Sequence, residues 1–152
     1  MFYRIYLLAF LLIFLSPFGS EAWEGKVVRI IDGDTFIALK DYRQIKVRLA
    51  EVNAPERGRP WSGQATEALK SQIAGKIVQI EQVGRDDFGR VLAIVWVNDT
   101  NINAWMLQNG HAWVKRKYMR NHQLLKLEQS ARENKVGLWS LPDNQLWDAL
   151  LW

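Results

Sequence analysis

The chain has 152 residues, 49% hydrophobic and 24% charged, with 20 Lys and Arg against 16 Asp and Glu for a formal charge of +4. That is one domain's length with enough apolar side chain for a packed core, which excludes a globally disordered chain. The absence of Cys excludes disulfides and a Cys-borne lipid anchor, and the modest positive balance suits a polyanionic partner without demanding one.

Arg4 opens the chain as a small positive region. An apolar run from Ile5 to Leu15 follows, then Pro17, Gly19 and Ser20-Glu21-Ala22. The run is shorter than the ~20 residues that cross a bilayer, and Ser20 and Ala22 are small residues placed for cleavage. Residues 1–22 read as a secretory signal peptide cut after Ala22. The expected location is therefore periplasmic or extracellular. Arg4 and Glu21 leave together, so the net charge is unchanged.

Strand signals come next. Lys26 to Ile31 is β-branched and Phe36 to Leu39 apolar, with the turn signal Asp32-Gly33 between them. Ile45, Val47 and Leu49 alternate with Lys46 and Arg48, a half-buried strand at period two. Ile77 to Val83 and Val91 to Val97 are two further runs joined by a polar turn. Three helices are expected. The first has Ser62 as a cap, Ala65, Leu69 and Ile73 on one face, and Gly75 at its end. The second has Asn103 as its N-cap and Gly110 as terminator. The third starts near Asn121, carries Leu124, Leu127 and Ala131 on one side, and stops at Gly137.

Three strands, a helix, two strands and two helices predict a mainly β, α+β fold: a five-stranded antiparallel OB-fold barrel with three packed helices, over residues 23–142. Residues 143–152 form a tail crowded with Leu146, Trp147, Leu150, Leu151 and Trp152. A short helix started by Asp143 and docked on the barrel is the expectation there, with a membrane or partner contact as the alternative.

Three polar clusters carry the chemistry. They are Asp32-Gly33-Asp34-Thr35, then Arg48 with Asn53-Ala54-Pro55-Glu56, then Asp86-Asp87-Phe88-Gly89-Arg90. Each alone is turn chemistry or a solvated charge. Together they hold oxygen ligands for a hard cation, a carboxylate able to act as a base, and two arginines whose planar guanidinium matches two phosphate oxygens. Phosphodiester hydrolysis needs that inventory. Lys115, Arg116, Lys117 and Arg120 flank Tyr118, a basic patch with an aromatic inside it, suited to phosphate contact and base stacking on single strands, with an ordinary solvated face as the alternative. His111 and His122 lack metal-ligand spacing, and no phosphate-binding glycine loop or zinc motif is present.

In order and spacing these clusters resemble the staphylococcal nuclease family, from about Gly25 to Ser140, including Gly110 and Gly137-Leu138-Trp139-Ser140. The resemblance implies an OB-fold nuclease that uses Ca²⁺ and cleaves DNA and RNA, without sequence preference, to 3′-phosphate ends; a monomer is expected. It implies that Asp34 is the principal metal carboxylate and that Ala54 offers its backbone carbonyl to the metal. Arg48 and Arg90 would grip the scissile phosphate, and Glu56 would orient the attacking water as general base. Tyr118 falls near a substrate-contacting tyrosine, and Phe88 replaces another, keeping a stacking face without a hydroxyl. Lys115 and Arg116 join them as substrate contacts. Asn53 stands where the family has its second metal-binding aspartate. Its amide oxygen still suits Ca²⁺, with one negative charge fewer. Glu51, two residues earlier, is the candidate to restore that charge. Arg57 and Arg59 are candidates for substrate-backbone contact, with ordinary surface charge as the alternative. The competing functions are a nucleic-acid-binding module whose catalysis has lapsed, and an envelope interaction module using the tail.

Overall fold

A computed structural model describes residues 21–151, with Tyr118 described through its backbone alone. Of the leader expected over residues 1–22, residues 1–20 lie outside the described residues, as do the side chain of Tyr118 and Trp152, while Glu21 and Ala22 begin the first strand. The strands are β1 (Glu21–Ile30), β2 (Thr35–Lys40), β3 (Arg43–Leu49), β4 (Val52–Asn53), β5 (Ile77–Arg85), β6 (Val91–Val97), β7 (Thr100–Asn101) and β8 (Trp113–Val114). The helices are α1 (Ser62–Ile73), α2 (Ile102–Gln108), α3 (Gln123–Glu133) and α4 (Asp143–Leu150).

The main sheet runs β3-β2-β1-β5-β6-β7, and β3 also pairs with β6, which closes a five-stranded OB-like barrel. Closure is parallel, with Val47 beside Val91 and Leu49 beside Ala93. The expected all-antiparallel barrel is thus corrected to a mixed one. The β5–β6 hairpin brings the chain back in the same sense as β3, so the last seam has no antiparallel option. Inward residues of the five barrel strands meet the helices in one core, with Phe36, Val47, Leu49, Ile80 and Val95 among those set against Leu69 and Ile73 of α1, Met106 and Leu107 of α2, and Leu124 of α3.

Two expected caps are corrected. Ser62 is the first helical residue of α1 and makes no cap; Trp61 precedes it in a left-handed conformation, φ 69°. Asn101, not Asn103, caps α2, accepting the Ala104 N–H. Asn103 is buried inside the helix, where its Oδ1 takes the Val95 N–H and its Nδ2 donates to the Ala50 and Ala93 carbonyls, each at 3.0 Å. It thereby ties α2 to the barrel seam.

A smaller apolar cluster holds the C-terminal region. Trp113, Ala131, Leu138 and Trp139 form its buried centre, with Trp61, Leu146 and Leu150 packed around it. The tail is therefore a fourth helix docked on the domain, with Trp147 and Leu151 left exposed. Gly110 and Gly137 let the two layers touch: both have left-handed φ, and a Cβ on either would lie within 2.2 Å of backbone carbonyl oxygen on the other side.

His111 lies between the Trp61 and Trp105 rings, 6.2 and 5.8 Å away, and its Nδ1 accepts the Trp61 Nε1–H at 3.1 Å. Burial lowers its pKa below the ordinary 6.5. The neutral ring is favoured in the folded state, so the unfolded chain binds more protons just below that value. The stabilisation is complete above pH 6.5 and is lost as pH falls through the depressed pKa. A thermal-melt series from about pH 8 to about pH 5 should show this decline, and His111→Gln should flatten it.

Candidate active site

The site is assembled from the Asp32–Thr35 loop, the end of β3 and the short strand β4. Gly33 is required by close approach: a Cβ there would meet the Ala54 and Ala65 Cβ atoms at 2.7 Å. The loop can therefore press against β4 and α1, which aims Asp34 inward. Asp32 Oδ1 accepts the Asp34 N–H at 3.0 Å and fixes the turn from the other side.

Asp34 is buried, and both carboxylate oxygens are engaged. Oδ1 accepts the Thr35 hydroxyl at 2.8 Å. Oδ2 accepts Arg48 Nη2 at 3.0 Å and the Ala54 N–H at 3.1 Å. Burial pushes the Asp34 carboxyl above its ordinary pKa, while Arg48 and these two donors pull it down. Strand alternation places Arg48 on a polar side, but that side is not solvent: the residue is 4% exposed. Its Nη2 also donates to Asn53 Oδ1 at 2.7 Å, and its Nη1 donates to the Leu49 and Val52 carbonyls. Asp34, Arg48, Asn53 and Ala54 are thus in direct contact.

Parallel closure brings the third cluster to the same end, because Val91 lies beside Val47. Asp86 holds Arg90 rigidly. Its Oδ2 accepts Arg90 Nε at 2.6 Å and its Oδ1 accepts the Arg90 and Phe88 N–H groups. The Arg90 guanidinium lies 5.3 Å from the Phe88 ring centre, and Phe88 is highly exposed. Lys115 is the residue that links the clusters. It lines an open groove with Asn53, Trp113 and Arg116. Burial first, then the Arg48 charge, lowers its pKa from 10.5, with Asp34, Arg90 and Asp86 also within electrostatic reach.

Glu51 does not serve the cation site. Its backbone is left-handed, φ 63°, so the expected extended strand turns there and its side chain leaves the Asn53 face. Its carboxylate instead accepts the Arg120 and Asn121 N–H groups, and its carbonyl accepts the Lys115 N–H. It organises the basic segment. Glu128 does the same from below. It is almost fully buried and accepts the Val114 N–H, Arg116 Nη2 and Arg132 Nη2 at 2.7 to 2.9 Å. Arg116 is therefore exposed yet held. Glu128 and Asn103 were not recognisable as site supports in the sequence, although the (i, i+4) spacing of Glu128 with Leu124 is a signal for an inward face; Asp86 stood out as a cluster and turn residue, but not as the partner that holds Arg90.

Glu56 is exposed, two residues beyond Ala54. Its carbonyl accepts the Arg59 N–H at 2.9 Å. Of the two arginines on this turn, Arg57 donates to the Ile31 carbonyl and Arg59 pairs with Asp148. Among the described residues no three His, Cys, Asp or Glu side chains converge as a metal cluster. The donors that do converge are hard oxygens, Asp34 Oδ2 and Asn53 Oδ1, and both already bracket the cationic Arg48 Nη2. They fit a hard cation in kind, with one formal charge between them.

The staphylococcal nuclease homologue family model matches residues 46–141, a span that includes Arg48, Asn53, Glu56 and Arg90 and ends just before α4. An uncharacterized endonuclease from Escherichia coli is 36% identical over 141 residues, covering 92% of each chain. Protein ParB of Escherichia coli is 39% identical over 82% of this chain and 78% of its own. A micrococcal nuclease from Shigella flexneri is 38% identical over 82% of this chain and 79% of its own. With the mixed barrel and the Asp34–Arg48–Asn53 contacts in place beneath that match, the chain belongs to the staphylococcal nuclease homologue family.

Proposed function

We propose that this protein is an exported, Ca²⁺-dependent nuclease that acts as a monomer on DNA and RNA, favours single strands, ignores sequence and leaves 3′-phosphate ends. The family makes it a nuclease, a hydrolase of phosphodiester bonds. The finer reading rests on one observation above all: a buried guanidinium, Arg48, is held by a carboxylate and an amide oxygen at the barrel mouth. A fold gains nothing from that desolvated charge that an apolar residue would not supply. A site for an anionic phosphate does gain from it.

The division of labour follows from the residues. Arg90, pre-set by Asp86 through Nε, presents its Nη groups to phosphate oxygens, and Arg48, whose own Nη groups are engaged by Asp34, Asn53 and two carbonyls, adds its positive charge from the neighbouring strand. Both neutralise the charge that builds on the equatorial oxygens. Glu56 takes the proton of the attacking water and aligns it. Asp34, Asn53 and the Ala54 carbonyl would hold Ca²⁺, which when bound supplies further positive charge against the phosphate. Phe88 offers an exposed ring for stacking, and Lys115, Arg116 and Lys117 offer phosphate contacts. Cleavage of single-stranded DNA and RNA that proceeds in Ca²⁺, stops in EDTA and yields 3′-phosphates is the expected result. Cleavage that is indifferent to chelation would refute the metal assignment.

Asn53 favours a second reading, a binding module whose catalysis has lapsed. The two diverge at Asn53→Asp. In the nuclease the added charge should lower the Ca²⁺ concentration for half-maximal activity about tenfold, equivalent to ~1.4 kcal/mol, with a matching gain in direct calorimetric Ca²⁺ binding. Salt-sensitive binding of single strands without cleavage, in wild type and variant alike, would favour the module.

A further inference from the structure

We propose that α4 is a latch on the turn that carries Glu56, with Asp148, Leu146 and Leu150 as positioning residues. The inference rests on the nuclease reading for the role of Glu56. The helix itself lies beyond the span of the family model.

Between Ala54 and α1 the chain makes two consecutive turns. The Arg59 N–H closes the first on the Glu56 carbonyl, with Gly58 at φ 84°. The Ser62 N–H closes the second on the Arg59 carbonyl, with Trp61 at φ 69°. Both have the form of type II turns, which need left-handed backbone at the third residue. Glycine meets that need in the first. In the second the residue is tryptophan, a bulky side chain in a conformation that it adopts only when its surroundings impose it.

The surroundings that impose it come from the C-terminal region. The Trp61 ring packs in the cluster that Leu146 and Leu150 complete, and its Nε1–H is tied to His111. Arg59, the residue shared by both turns, is ion-paired with Asp148 of α4. Arg57 is fixed on the opposite side by the Ile31 carbonyl. The Glu56 turn is therefore clamped between the Asp32 loop and α4. A half-exposed ion pair alone would be a weak clamp. Here the pair is the direct tie, while Trp61 packs against the same Trp113, Ala131, Leu138 and Trp139 centre as Leu146 and Leu150, so the apolar hold passes through that shared cluster. A base must lie within hydrogen-bond reach of its water, and small displacements of such groups cost large factors in rate.

The test compares the purified wild-type protein with Asp148→Ala, Leu146→Ala/Leu150→Ala and Asp148→Glu. Trypsin reports on the turn without any need for nuclease activity. It can cut after Arg57, whereas the Arg59–Pro60 bond resists it. Cutting after Arg57 should accelerate about fivefold or more in Asp148→Ala and in the double variant, since proteolysis follows local opening. On single-stranded DNA in Ca²⁺, kcat should fall about tenfold with KM within about twofold. Asp148→Glu should restore both. An unchanged cutting rate in Asp148→Ala and the double variant would overturn the latch, even if the wild type proved not to be a nuclease. Faster cutting with unchanged kcat would overturn the positioning role. Absence of cleavage by the wild type would instead refute the nuclease reading, and with it the catalytic half of this proposal.

Discussion

Glu56→Ala should leave a folded protein that cleaves single-stranded DNA about 10²–10⁴-fold more slowly, the range for removal of a general base. The residue is exposed at the end of a turn whose hydrogen bonds come from its backbone, so melting should move little. The loss belongs in kcat, since the carboxylate binds no part of the substrate's anionic backbone. Arg90→Lys is the companion measurement. It keeps the charge and loses the fork, and the Asp86 Oδ2 contact that fixes Nε is lost with it. If Glu56→Ala retained wild-type kcat, the water would be activated elsewhere and the roles assigned along Ala54–Glu56 would fail.

The barrel was legible because its signals are local. The alternation of Ile45, Val47 and Leu49, the turn signal Asp32-Gly33 and the terminating Gly110 each act within a few residues; the expected stop at Gly137 is corrected, since α3 ends at Glu133 with Lys135 left-handed after it and Gly137 opens the 3-10 turn that follows. What escaped was long-range. The parallel β3–β6 seam depends on the path of β5 rather than on any residue of β3. Asn103 has the composition of a cap, yet it is buried because the Val95 N–H and the Ala50 and Ala93 carbonyls need partners where α2 meets the barrel. Glu51 read as a strand residue facing the same way as Asn53; its left-handed backbone turns it to the basic segment instead. The candidate residues Asp34, Arg48 and Asn53 could be named from their polar clusters and from the family resemblance that those clusters carry. That Arg48 would be buried and would bridge the other two could not, because period two sets the face of a strand and not what lies above it. The role of α4 was invisible in the same way. Asp148 and Arg59 are 89 positions apart, and nothing in either neighbourhood points to the other.

Asp34→Ala should cost stability as well as activity, and the two losses can be separated. In the wild type the carboxylate faces a guanidinium whose side chain is 4% exposed. Removing Asp34 leaves that charge among Asn53 Oδ1 and the Leu49 and Val52 carbonyls, all neutral. It also strips the Ala54 N–H of its acceptor. Breaking a buried pair from one side costs about 3–5 kcal/mol, because the surviving charge stays desolvated. Asp34→Ala/Arg48→Met removes that charge and fills the space with an apolar side chain of similar length. Denaturant melts should therefore place the double variant between wild type and Asp34→Ala, since it removes the stranded charge but leaves the Ala54 N–H, Asn53 Oδ1 and the Leu49 and Val52 carbonyls without these partners. Activity should follow a different order: on the proposed roles of Asp34 and Arg48 it is lost in the single and double variants alike. A double variant as unstable as the single one would mean that Ala54 and Thr35, not the Arg48 charge, set the cost. Activity that returned with stability would mean that the buried pair is scaffold rather than catalytic machinery.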